Sequence, residues 1–116
     1  MQIKVGTDLV AIERVKASLE KFGEKFLDRF LSPNEKAYAK RIESIAGYWA
    51  AKEAIAKALG CGIGRELSFL DIEIYKDDKR APHFLIHSKN FKVINASLSI
   101  SHDSGFAMAV AIVILD

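Results

Sequence analysis

The segment from Phe106 to Leu115 constrains this chain more than any other. Phe106, Met108, Val110, Ile112 and Ile114 alternate with Ala107, Ala109, Ala111 and Val113, and no charge interrupts them. Strict alternation is the period of a β-strand, whose successive side chains point to opposite faces. Both faces are apolar here, so the strand has to be covered on both sides. The run is also too short to span a bilayer as a helix.

The rest of the chain supplies the covering. Gln2 to Thr7 alternates and reads as a short strand. At Thr7-Asp8 the period changes, and Val10, Ile12, Val15, Leu19 and Phe22 follow at helical spacing with Gly23 as the stop. Phe26 to Leu31 reads as a short second helix. Ser32-Pro33-Asn34-Glu35 then offers an N-cap, a proline at the first helical position and a glutamate at the third. The third helix is predicted to run to about Ile42. Ser44 is the expected cap of an alanine-rich fourth helix, Ile45 to Leu59, which Gly60-Cys61-Gly62-Ile63-Gly64 ends. Leu70 to Tyr75 and His83 to Ser88 form a predicted hairpin around Lys76 to Pro82. Asn95 to Ser101 is a further strand, and His102-Asp103-Ser104-Gly105 is the turn into the last one. This order predicts an α+β fold, with an N-terminal strand and four helices packed on a mainly antiparallel sheet. At 116 residues with half of them apolar, one domain over 1–116 is expected.

Charge narrows the function. The 17 basic and 15 acidic side chains leave +2, and eight basic against six acidic residues between Glu13 and Glu43 account for all of it. Such a mild excess does not make the electrostatic footprint of a nucleic-acid binder. It suits either a solvated helical face or a docking surface for an acidic protein partner. The single cysteine, Cys61, allows neither a disulfide framework nor a cysteine-based zinc site. Met-Gln-Ile-Lys-Val lacks the layout of a signal peptide, and the expected location is the cytoplasm, with no membrane association.

Few residues are placed for chemistry. Trp49, Glu53 and Lys57 are four apart and share one ridge of the fourth helix. Glu53 lies among Ala50, Ala51, Ala54 and Ile55, where a desolvated carboxylate needs a partner. Lys57 is the ordinary partner; a metal ion is the functional one, which would leave Lys57 free to meet a phosphate. Asp8, at the strand-to-helix junction, is either an N-cap worth about 1 kcal/mol or a second carboxylate beside Glu53. Magnesium takes one or two protein carboxylates and completes its shell with water and phosphate oxygens, so this pair would suit it. The glycines at 60, 62 and 64 follow a helix rather than a strand, which excludes a dinucleotide fingerprint and a P-loop. They form a helix C-cap or a nest of N–H groups for an anion. Ser101 and His102 point to opposite faces of a strand, so they are no nucleophile–base pair. His102 remains a possible donor to a phosphate.

Taken in order, these pieces resemble the holo-acyl-carrier-protein synthases, the small bacterial class of 4′-phosphopantetheinyl transferases. The resemblance runs through Gly6 to Val15, Phe26 to Glu35, Trp49-Ala50-Ala51-Lys52-Glu53-Ala54-Ile55-Ala56-Lys57-Ala58-Leu59-Gly60, Gly62 to Phe69, and Leu98-Ser99-Ile100-Ser101-His102. It covers nearly the whole chain. It implies that Asp8 and Glu53 bind magnesium and that Lys57 faces the phosphates of coenzyme A, beside His102, Gly60 and Gly62. Arg14, Lys25, Phe26 and Arg29 fall where the family meets its carrier protein, whose acidity gives the mild basic excess a purpose. The implied assembly is a homotrimer with active sites between subunits. The implied reaction moves 4′-phosphopantetheine from coenzyme A to a serine of apo-acyl-carrier protein and releases adenosine 3′,5′-bisphosphate. Asp8, Glu53 and Lys57 are then the catalytic set, and the serine proton passes to Glu53 or to water at the metal.

Three positions depart from the family pattern. Tyr48 stands where an arginine near the coenzyme phosphates is frequent, Cys61 where threonine is usual, and Pro82-His83-Phe84 brings bulk near the expected adenine. The reading from a different class is a non-catalytic module whose basic helices dock an acidic protein.

Overall fold

The computed structural model describes residues 1–116. Its elements are β1 (Gln2–Ala11), α1 (Ile12–Phe22), α2 (Glu24–Phe30), α3 (Pro33–Tyr38), α4 (Ile42–Ala58), a 3₁₀ turn (Phe69–Asp71), β2 (Ile72–Lys76), β3 (Pro82–Ile86), β4 (Val93–Asp103) and β5 (Phe106–Leu115). The strands form two antiparallel sheets, β1-β5-β4 and the hairpin β2-β3. The α+β expectation holds, with the sheet divided in two. No helix is long and apolar enough to cross a membrane.

The alternation of β5 puts it at the centre of the larger sheet. Ala107, Ala109, Ala111 and Val113 are fully buried, facing the side where α4 packs. Small residues on that face let the helix lie close. Gly6 of β1 is the tightest point: a Cβ there would stand 2.0 Å from the Ala54 carbonyl oxygen and 2.6 Å from the Ala58 nitrogen. Apart from Trp49, Glu53 and Lys57, α4 is buried from Ile45 to its end, as befits a helix with apolar residues all round.

Four boundaries near the site differ from expectation. β1 continues through Asp8 to Ala11, because β5 offers it an unbroken ladder from Gln2↔Leu115 to Ala11↔Phe106. Asp8 is therefore a strand residue, and α1 begins after Ala11 with no side-chain cap. The third helix keeps its capping box, Ser32 with Glu35, but stops at Tyr38 where Ala39 leaves helical geometry and enters the core. α4 starts at Ile42 behind Arg41, which places Ser44 inside its first turn and not at its cap. The last turn tightens to Ser104 and Gly105, both at positive φ as a type I′ hairpin requires, and His102 and Asp103 belong to β4.

Candidate active site

Because β1 is a strand at Asp8, its even-numbered side chains face α4. Val10 is buried there, and Asp8 is half-buried at the edge of that layer. Lys57 reaches across from α4, its Nζ 3.2 Å from Asp8 Oδ1. Of the two readings of Lys57, the ordinary pair with Glu53 is not formed; the structure pairs it with Asp8. Glu53, one turn earlier, has no ion pair or hydrogen bond within the chain. Burial pushes its carboxyl above the ordinary range, the Asp8 charge adds to this, and Lys57 works against it. Two carboxylates and one ammonium thus converge from elements 49 residues apart in sequence.

A groove of about 270 Å³ opens beside them, lined by Asp8, Glu53, Arg14, Ser18, Phe26 and Trp49 among others. Arg14, Lys25 and Arg29 are exposed on α1 and α2. Phe26 is not a surface residue: it is buried, stacked on Trp49 with ring centroids 5.7 Å apart, and forms part of the groove wall. Oxygen donors of this kind suit a hard divalent cation. No cluster of three or more acidic, histidine or cysteine side chains exists that would cage an ion by itself. The pair therefore fits an ion that takes one or two protein carboxylates and the remainder of its shell from water and substrate.

His102 is not brought to this groove. It lies at the end of edge strand β4 and lines a separate cavity of about 530 Å³ with Tyr48, Ser44, Lys76 and Arg80. Tyr48 is buried with its hydroxyl unpartnered, and burial pushes the phenol up. Gly60 and Gly62 adopt positive φ with open space where a Cβ would stand. Their N–H groups donate to the carbonyls of Lys57 and Ala56, so the helix-capping reading of this loop is the one realised. The N–H of Cys61 donates to Ala56 as well, and burial raises its thiol pKa, which fits an unreactive side chain. His83 pairs with Asp77 and stacks on Tyr75.

Sequence reasoning missed the buried pair Lys52–Glu35. Lys52 Nζ meets Glu35 Oε1 at 2.8 Å, and both side chains are fully buried. The available signal was a lysine set among Ala50, Ala51 and Ala54 in the alanine-rich stretch of α4.

The chain matches the model of the 4′-phosphopantetheinyl transferase superfamily over residues 4–111. It is 53% identical over 112 residues to a holo-[acyl-carrier-protein] synthase of Sulfurovum sp., covering 94% of each chain. It is 55% identical to that of Campylobacter fetus, covering 94% of this chain and 97% of the relative. Its fold superposes with a TM-score of 0.89 on Helicobacter pylori holo-[acyl-carrier-protein] synthase in complex with coenzyme A, at 46% identity, covering 95% of this chain and 99% of that one.

Proposed function

The chain belongs to the 4′-phosphopantetheinyl transferase superfamily, and from that membership we propose that it transfers 4′-phosphopantetheine from coenzyme A to a serine of apo-acyl-carrier protein. The observation that carries the site assignment is the convergence of Asp8, Glu53 and Lys57 beside a groove edged by basic helices. The whole of 1–116 acts as one transferase unit.

In the reaction the serine hydroxyl of the carrier protein attacks the β-phosphorus of coenzyme A, and the bond to the α-phosphate breaks to release adenosine 3′,5′-bisphosphate. Lys57 faces the leaving group and stabilises the charge that develops on it. Glu53, which has no ion pair or hydrogen bond within the chain, is placed to accept the serine proton. Asp8 holds Lys57 in place. Asp8 and Glu53 would also hold magnesium, which when bound supplies charge neutralisation at the pyrophosphate. Gly60 and Gly62 border the coenzyme by leaving open the space a side chain would fill, and His102 would meet it from the separate cavity it lines with Tyr48. Arg14, Lys25 and Arg29 attract an acidic carrier protein, with Phe26 walling the groove its serine enters.

A homotrimer completes the reading. Ile3, Val5, Leu9, Phe106, Met108 and Ile112 share the outer face of β1-β5-β4, paired across strands as Val5↔Ile112 and Leu9↔Met108, and all stand exposed. A continuous apolar sheet face of this kind marks an interaction surface, and neighbouring copies supply the second covering that β5 calls for. Cytoplasmic fatty acid biosynthesis is the setting that consumes holo-carrier protein.

The test is turnover of wild type against Asp8→Ala and Glu53→Ala, each checked for folding by circular dichroism. Both variants are expected to fold and to lose transfer; near wild-type turnover in either removes these residues from the site.

A further inference from the structure

Lys52 neighbours Glu53 on α4 but lies wholly inside the protein. An ammonium has three N–H groups, and three acceptors from three elements meet this one. They are the Phe30 carbonyl at the end of α2 (2.6 Å), Glu35 Oε1 in α3 (2.8 Å) and the Phe69 carbonyl in the 3₁₀ turn (3.1 Å). Glu35 is as fully used: Oε1 also accepts from the Ser32 N–H at 2.8 Å, and Oε2 from the Ile74 N–H of β2 at 2.9 Å. One buried pair therefore joins five elements.

Such a pair adds little stability over apolar residues of the same volume. What it fixes is geometry. α2 has seven residues, too few to hold a helix by itself, so tertiary attachments decide where it lies. Two attachments join it to α4: Phe26 and Phe30 against Trp49, and the Phe30 carbonyl on Lys52. Trp49 and Lys52 are one turn apart on the same helix as Glu53.

Resting on the transfer reading above, we propose that Lys52 is a positioning residue. Its ammonium sets α2, with Lys25, Phe26 and Arg29, at the distance from Glu53 that a docked carrier serine requires. Lys52 touches none of the residues assigned to coenzyme A, so its loss acts on the carrier protein and leaves the coenzyme alone.

The experiment compares wild type, Lys52→Met, the conservative Lys52→Arg, and Val113→Ala as a core variant that lowers the melting temperature without touching this node. Lys52→Met is expected to lower kcat/KM for the carrier protein by about tenfold or more, the scale of effect of an ångström-level misplacement, with coenzyme A affinity within about twofold. Lys52→Arg, which keeps the charge and also covers the case that Lys52→Met does not fold, is expected to recover part of the loss. Emission of Trp49, the only tryptophan, shifts in the Lys52 variants and not in Val113→Ala. Equal losses for carrier and coenzyme, or the same changes in Val113→Ala, overturn the proposal. So does an unchanged carrier constant in a folded Lys52 variant. Carrier affinity measured by fluorescence anisotropy without coenzyme or metal tests the same point if wild type proves not to transfer, which keeps the two failures apart.

Discussion

Lys57 Nζ lies 3.2 Å from Asp8 Oδ1, linking the last full turn of α4 to a strand 49 residues earlier. The pair is largely exposed on the lysine side, and exposed ion pairs contribute about 0–1 kcal/mol. Lys57→Ala is therefore expected to melt within a few degrees of wild type while transfer falls by about a hundredfold, the usual loss when one charge-stabilising donor is removed. Calorimetry beside a turnover assay checks both halves.

Glu53 gives the fold a pH dependence. Its folded pKa is raised, chiefly by burial, so the folded state binds the proton more tightly than the unfolded chain. Stability from this group is present below the ordinary glutamate value near 4.5 and is lost as pH rises through the folded value. Glu53→Gln removes that loss. In EDTA it should melt above wild type at pH 7 and lose this advantage on acidification, while transfer is abolished. Melting curves across pH decide it.

Gly6 positions Asp8 by letting β1 touch the α4 backbone. Gly6→Ala would drive a Cβ to 2.0 Å from the Ala54 oxygen, and backbone cannot yield as a side-chain tip does. A destabilisation of about 3 kcal/mol or more is expected in denaturant titration, at the upper end of overpacking costs.

The homotrimer proposed from the family resemblance would use the exposed outer face of the sheet. Light scattering should give about three times the 12.9 kDa chain mass, and Ile112→Asp, a charge amid the exposed apolar face, should shift it towards the single chain.

Much of this was legible in local pattern. The alternation of Phe106 to Leu115, the Ser32–Glu35 capping box and the alanine run of α4 each state their structure within a few residues. Of the two roles the sequence leaves open for Asp8, the helix cap fails because helical spacing from Val10 onward competes with a strand ladder that only β5, about a hundred residues later, supplies. The Lys57–Asp8 pair and the Lys52–Glu35 node were hidden for the same reason: their partners are distant in sequence, and a lysine next to alanines does not name its acceptor. Burial and resemblance together single out Asp8 and Glu53 as candidates, but the approach of Lys57 to Asp8 needed the fold.

The central claim is tested most directly by the intact mass of apo-acyl-carrier protein after incubation with this protein, coenzyme A and magnesium, with EDTA as the control. The account predicts a gain of one phosphopantetheine group per carrier protein, abolished by EDTA. No gain with folded protein and several carrier proteins, together with carrier binding indifferent to magnesium and coenzyme A, would contradict it and leave a docking module in place of an enzyme.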